Sequence, residues 1–144
     1  MKKRALALIL VCLMLAAMLS ACGAAKESDL TFTNNLSVSL DNIYLSLADS
    51  GTWNEPVASG VVTSGSSIGI DFSNAGEGAG PGTYDFGVID ENAMNYDLYE
   101  VELKAGDKIA LSGNAESAIY TITHADGSKD SYDAWIYTNA DGSK

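Results

Sequence analysis

Val38-Ser39-Leu40-Asp41-Asn42-Ile43-Tyr44-Leu45-Ser46-Leu47 is the stretch whose reading decides the fold class. Apolar residues alternate with polar ones: Val38 and Leu40, then Ile43, Leu45 and Leu47. A period of two marks a strand with one face against a core. The parity of the apolar positions changes across Asp41-Asn42, which predicts a bulge or bend there. The same pattern continues on both sides. Residues 30–33 alternate and are closed by Asn34-Asn35. Residues 57–63 and 67–72 flank Ser64-Gly65-Ser66. Residues 83–90 and 95–104 follow, then 108–112 after the turn Ala105-Gly106-Asp107. Residues 119–123 and 132–138 flank Asp126-Gly127, a hairpin signal. No stretch shows sustained helical periodicity with caps, and only residues 48–55 suit a single helical turn. Short strands at close spacing with turn residues between them predict an all-β chain, a small antiparallel β-sandwich of about seven to nine strands.

The N-terminus has a different character. Lys2, Lys3 and Arg4 precede an apolar run over residues 5–19 that is short for a membrane span, and Leu19-Ser20-Ala21-Cys22 closes it. This order predicts a secretory signal peptide over residues 1–21. Its Leu-Ser-Ala-Cys end resembles the lipobox of bacterial lipoproteins. The resemblance implies cleavage before Cys22 and a diacylglycerol on the Cys22 sulfur. The expected plan is a signal peptide (1–21), a lipidated tether (22–28), a sandwich domain ending in a hairpin (29–138) and a tail (139–144). The expected location is the extracytoplasmic side of a cell membrane or outer membrane. Gly23 follows the cysteine, so no acidic sorting signal chooses between the two.

Charge and cysteine content narrow the chemistry. Three of the eight Lys and Arg lie in residues 1–21, which leaves five against nineteen carboxylates, a net charge of −14. Such a domain repels nucleic acid and gains nothing from an anionic lipid surface. The membrane partner is therefore reached through the lipid, whose two chains suffice for stable anchoring. Cys12 falls in the signal peptide and Cys22 is the acylation site, so the folded domain has no thiol for a disulfide, a zinc–thiolate site or a nucleophile. A single histidine, His124, rules out metal sites that need two imidazoles from one chain.

The stretch from about residue 30 to residue 111 resembles a family of small exported bacterial domains of uncharacterised role. The matching pieces are Phe32-Thr33-Asn34-Asn35, Ile43-Tyr44-Leu45-Ser46, Ser50-Gly51-Thr52-Trp53, Ser64-Gly65-Ser66-Ser67-Ile68, Tyr84-Asp85-Phe86-Gly87-Val88-Ile89-Asp90 and Val101-Glu102-Leu103. These residues mark a fold, so the resemblance implies a compact β-sandwich and no reaction. The chain departs from the family where Asp-x-Asp-Gly is usual and Asp90-Glu91-Asn92-Ala93 stands instead. The terminal hairpin, residues 117–138, lies beyond the shared pattern and is a candidate added edge or partner surface.

Four constellations bear on chemistry. Gly65-Ser66-Ser67-Ile68-Gly69 satisfies the hydrolase elbow pattern, but that motif needs a helix after the serine, and strand residues follow Ser67. A polar turn is the better reading, and His124, the one available base, reads as an exposed edge residue. The glycine-rich residues 74–82 lack the following helix that a phosphate cradle needs and read as a linker. Asp90, Glu91, Asn92, Asn95 and Asp97 crowd one turn, and Asp126, Asp130 and Asp133 another. Calcium takes six to eight such hard oxygens, which makes Asp90, Asn92 and Asp97 candidate ligands for weak calcium binding; EF-hand spacing is absent, and the plainer reading is a solvated turn. Among the aromatics, Trp53 reads as a loop anchor plugging one end of the core. Tyr96, Tyr99, Tyr132, Trp135 and Tyr137 suit either packing or stacking on sugar rings. Trp135 and Tyr137 share a parity, with Tyr120 expected opposite them, and form a candidate ligand face.

These features point to a non-catalytic binding or interaction module of the cell envelope, with no cofactor other than weakly bound calcium. An envelope protein or a glycan is the expected partner, and a hydrolase is the remaining alternative.

Overall fold

The computed structural model describes residues 26–58 and 60–138. The predicted signal peptide, Cys22 and the tail 139–144 lie outside the described residues. The described strands are β1 (Leu30–Leu36), β2 (Leu40–Leu47), β3 (Ser67–Ile70), β4 (Gly82–Asp90), β5 (Met94–Leu103), β6 (Lys108–Gly113), β7 (Ala118–Thr123), β8 (Lys129–Asp133) and β9 (Trp135–Thr138). They form a five-stranded sheet in the order β3-β1-β6-β7-β8 and a four-stranded sheet in the order β2-β4-β5-β9. The all-β sandwich expected from the sequence is what the chain adopts. Pairing is antiparallel except between β1 and β6, which run parallel from Thr31 opposite Lys108 to Leu36 opposite Gly113.

Alternation selects the buried face of each strand. Leu30, Phe32 and Leu36 of β1, together with Leu111 and Ile122 of the same sheet, face Ile43 and Leu45 of β2 and Phe86 and Val88 of β4, all buried. Phe32 meets Phe86 across the sandwich at 5.3 Å between ring centres, and Phe86 meets Tyr120 edge-on at 5.8 Å. Three tyrosines point into this core with their hydroxyls partnered, as buried phenols require. Tyr120 donates to the Tyr96 carbonyl at 2.7 Å, Tyr96 to Asp90 Oδ2 at 3.1 Å, and Tyr84 to the Gly80 carbonyl.

The parity change in the opening stretch is a register shift between Leu40 and Asn42 in the β2–β4 ladder. The single helical turn is a 3₁₀ turn over Ala48–Ser50. Three local expectations are corrected. Asn34 does not close a turn: it is buried within β1, where its amide donates to the Val38 and Val62 carbonyls and its oxygen accepts the Leu36 N–H. The described residues of 57–63 form no strand: Val62 makes an isolated bridge with Leu40, and the Val57 N–H donates to the Ile43 carbonyl at 2.7 Å. Residues 132–138 are not one hairpin arm. The strand breaks at Ala134; β8 extends the five-stranded sheet and β9 extends the four-stranded one. Tyr120 therefore lies opposite Tyr132, and Trp135 lies opposite Asp97.

Candidate functional site

The two outer faces differ in chemistry. On the five-stranded sheet the outward residues at the centre are mostly small, with Thr31, Thr33, Ala110, Thr121 and Thr123 beside the exposed Lys108 and Ile119. On the four-stranded sheet one cross-strand row runs Tyr44, Gly87, Asp97 and Trp135. The neighbouring row brings Asn95 opposite Tyr137. Three aromatic rings, Tyr44, Trp135 and Tyr137, thus share one surface with Asp97.

Asp97 is the centre of this surface. It is 3% exposed, and its Oδ2 accepts the Tyr99 hydroxyl at 2.6 Å and the Tyr137 hydroxyl at 2.5 Å. Hydrogen bonds to a carboxylate are short and strong, so this clamp holds both rings in place. Burial, and then the Asp97 carboxylate, push the Tyr99 hydroxyl well above the ordinary tyrosine value of 10, so it remains a donor at neutral pH. Asp85, 4% exposed, does a second job: its Oδ1 accepts the Glu100 N–H at 3.0 Å. That bond stabilises a bulge in which Tyr99 and Glu100 stand opposite Asp85 alone, between the pairs Phe86–Leu98 and Tyr84–Val101. Glu100 takes a φ of 55°, a left-handed conformation disfavoured for a residue with a Cβ. Tyr99 shares the outward parity of Asp97 and is 40% exposed, and the bulge after it resets the alternation so that Val101 and Leu103 are buried.

Trp53 covers the other side of Asp97. Its ring centre lies 5.8 Å from that of Tyr44 and 6.3 Å from that of Tyr99, both tilted. Gly87 makes this approach feasible, since a Cβ there falls 2.7 Å from Asp97 Oδ1 and 2.9 Å from the Trp53 ring. Trp53 thus lies over a sheet face and does not plug an end of the core. Asn54 ties the same loop down by donating its N–H to Ser46 Oγ at 3.1 Å. Trp135, on the edge strand, is 68% exposed. Strands β2, β4, β5 and β9 together carry six Asp and Glu and no Lys or Arg.

The candidate face of Trp135 and Tyr137 therefore exists as a shared surface, and the structure adds Tyr99, Tyr44 and Trp53 to it. Tyr96 is not part of it: it is 1% exposed and inward. The calcium candidates are separated. Asp90 faces the core end, where its Oδ1 accepts the Asn92 and Met94 N–H groups and its Oδ2 the Tyr96 hydroxyl, whereas Asp97 lies on the outer face. Among the described residues no group of three or more His, Cys, Asp or Glu is arranged to hold a metal ion.

Ser67 and His124 are also apart in their bonding. Ser67 Oγ pairs with Thr33 Oγ at 2.8 Å. His124 is not a free edge residue: Nδ1 meets Asp107 Oδ1 at 2.9 Å and Nε2 meets Asp130 Oδ2 at 3.0 Å. The Asp130 and Asp107 bonds raise the His124 pKa above its ordinary 6.5. This clasp joins the β5–β6 turn to β8, beside the Asp126-Gly127 turn. Among the described residues no helix is long and apolar enough to cross a membrane.

Compared with known proteins, the chain matches no family model, no curated protein and no solved structure.

Proposed function

We propose that this protein is a lipid-anchored, non-catalytic binding module on the extracytoplasmic side of a bacterial membrane, and that it binds through the outer face of its four-stranded sheet. The observation that carries the reading is Trp135, 68% exposed and directly opposite the clamped Asp97. Large rings left in water are uncommon without a partner, and Trp and Tyr dominate binding surfaces. The rings around it are held by bonds and packing, so little side-chain entropy is lost when a ligand arrives. The anchor in this reading is Cys22.

The test is a comparison of the lipidated wild type with Trp135→Ala, each cross-linked in its own cells and recovered from the membrane fraction. A bound component that is present with wild type and Thr121→Ala, and absent with Trp135→Ala, is the expected result. Equal recovery with all three overturns the assignment of the face.

A further inference from the structure

We propose that the ligand of the Trp135 face is a glycan chain of uncharged sugar units, an inference that rests on the preceding reading of that face as the binding surface. Three observations select this chemistry. The first is shape. Tyr44, Trp53 and Tyr99 lie side by side, at 5.8 and 6.3 Å with interplanar angles of 41° and 33°. They form a row of tilted rings and not a cage around a point cation. The apolar C–H face of a pyranose ring lies flat on such rings, while its hydroxyls reach the polar groups beside it. Here those groups are the two phenol hydroxyls on Asp97 and the neighbouring Asn95 amide.

The second is charge. With six carboxylates and no Lys or Arg on the strands of this sheet, phosphate- or uronate-bearing polymers are repelled. Asp85 and Asp97 are 4% and 3% exposed, so neither offers its charge in direct contact to a basic side chain. What the face presents is ring surface. The third is extent. The exposed rings are three, Trp135 and Tyr99 with half-buried Tyr137, against the roughly 20–30 residues a side that a stable protein interface uses.

Asp97 is a positioning residue in this arrangement, acting through the rings it holds. Trp135 is the residue that touches the sugar.

The experiment titrates the full lipidated chain, in detergent micelles, with three neutral hexasaccharides: chitohexaose, cellohexaose and maltohexaose. Calorimetry and tryptophan emission report binding. At least one is expected to bind with an affinity insensitive to salt. Trp135→Ala weakens it by about tenfold or more, the loss of one central aromatic contact. Trp135→Phe retains most of the binding, and Thr121→Ala on the opposite sheet retains all of it. Asp97→Asn, which keeps an oxygen acceptor, binds better than Asp97→Ala. Absence of binding by all three sugars at millimolar concentration overturns the proposal, as does binding that survives Trp135→Ala. Salt-sensitive binding of a poly-lysine peptide to the same face, without sugar binding, also overturns it. In that case, a cross-linked component still lost with Trp135→Ala leaves the binding face standing and removes only the glycan.

Discussion

Gly87→Ala tests the site's construction at one atom. The added Cβ lies 2.7 Å from Asp97 Oδ1 and 2.9 and 3.0 Å from two carbons of the Trp53 ring. Real Cβ atoms do not sit that close, so one neighbour must leave. Asp97 is tied by two phenol hydroxyls at 2.6 and 2.5 Å. Trp53 sits on a loop, so it is the group expected to lift. Overpacking of this kind costs about 1–3 kcal/mol. Replacing glycine within a strand returns roughly 0.5–1 kcal/mol of backbone entropy. The net loss then centres on about 1 kcal/mol, which lowers the Tm of a domain this size by roughly 3–6 °C. Circular dichroism melting measures the shift, and the Trp135→Phe background leaves Trp53 as the one tryptophan emitter. The expected result is a lower Tm together with a red-shifted Trp53 emission. A Tm equal to or above wild type with unchanged emission would refute the claim that Gly87 exists to admit Trp53.

Further outcomes follow from single residues. Ala93 takes a φ of 60° in the β4–β5 turn, a left-handed conformation that glycine adopts without strain. Ala93→Gly is expected to raise stability by about 0.5–1 kcal/mol in denaturant titration, the left-handed cost relieved less the entropy of glycine; a loss of stability would contradict the assignment. His124 is held in its charged form by Asp130 and Asp107. Its contribution is complete below pH 6.5 and is lost as pH rises through its raised folded value. The Tm of wild type should therefore fall across that window relative to His124→Gln, and parallel curves would show that the clasp is idle. The Tyr96 hydroxyl, raised to about 12 by burial and by Asp90, favours the neutral form of the folded state. Stability should decline between pH 10 and about 12, with Tyr96→Phe less sensitive than wild type in an alkaline melting series; equal sensitivity would contradict it.

The strands were legible wherever alternation was driven by one buried face. Leu40, Ile43 and Leu45 gave both β2 and its bulge, because only a shift of parity keeps all three in the core. The Asp126-Gly127 turn was legible from chemistry alone. Gly127 takes a φ of 87°, and Asp126 Oδ1 accepts the Ser128 N–H at 2.9 Å. The sheet switch at Ala134 was not legible. Alternation continues from Tyr132 through Ile136 whichever sheet supplies the partner, so the pattern carries no sign of the crossing. For the same reason the face of Trp135 was found but not its neighbours. Tyr99 and Asp97 share a parity two residues apart, a local signal, whereas the Tyr137 hydroxyl reaches Asp97 only through the β5–β9 pairing. Gly87 looked like any strand glycine until Trp53 was seen to lie over it. The separation of the calcium candidates follows from the hairpin register, which pairs Gly87 with Asp97 and Ile89 with Asn95 and so leaves Asp90 on the opposite face; loop length, and with it that register, was not legible beforehand. Residues 57–63 misled because Val57, Val61 and Val62 are apolar without being paired along a ladder.

The most direct measurement is site-specific photo-cross-linking in living cells, with a photoreactive phenylalanine analogue introduced in turn at position 135 on the aromatic face and at position 121 on the outer face of the other sheet. Adducts formed from position 135 and not from position 121 are expected if the four-stranded sheet is the binding surface. Adducts from position 121 alone, or none from position 135, would contradict it.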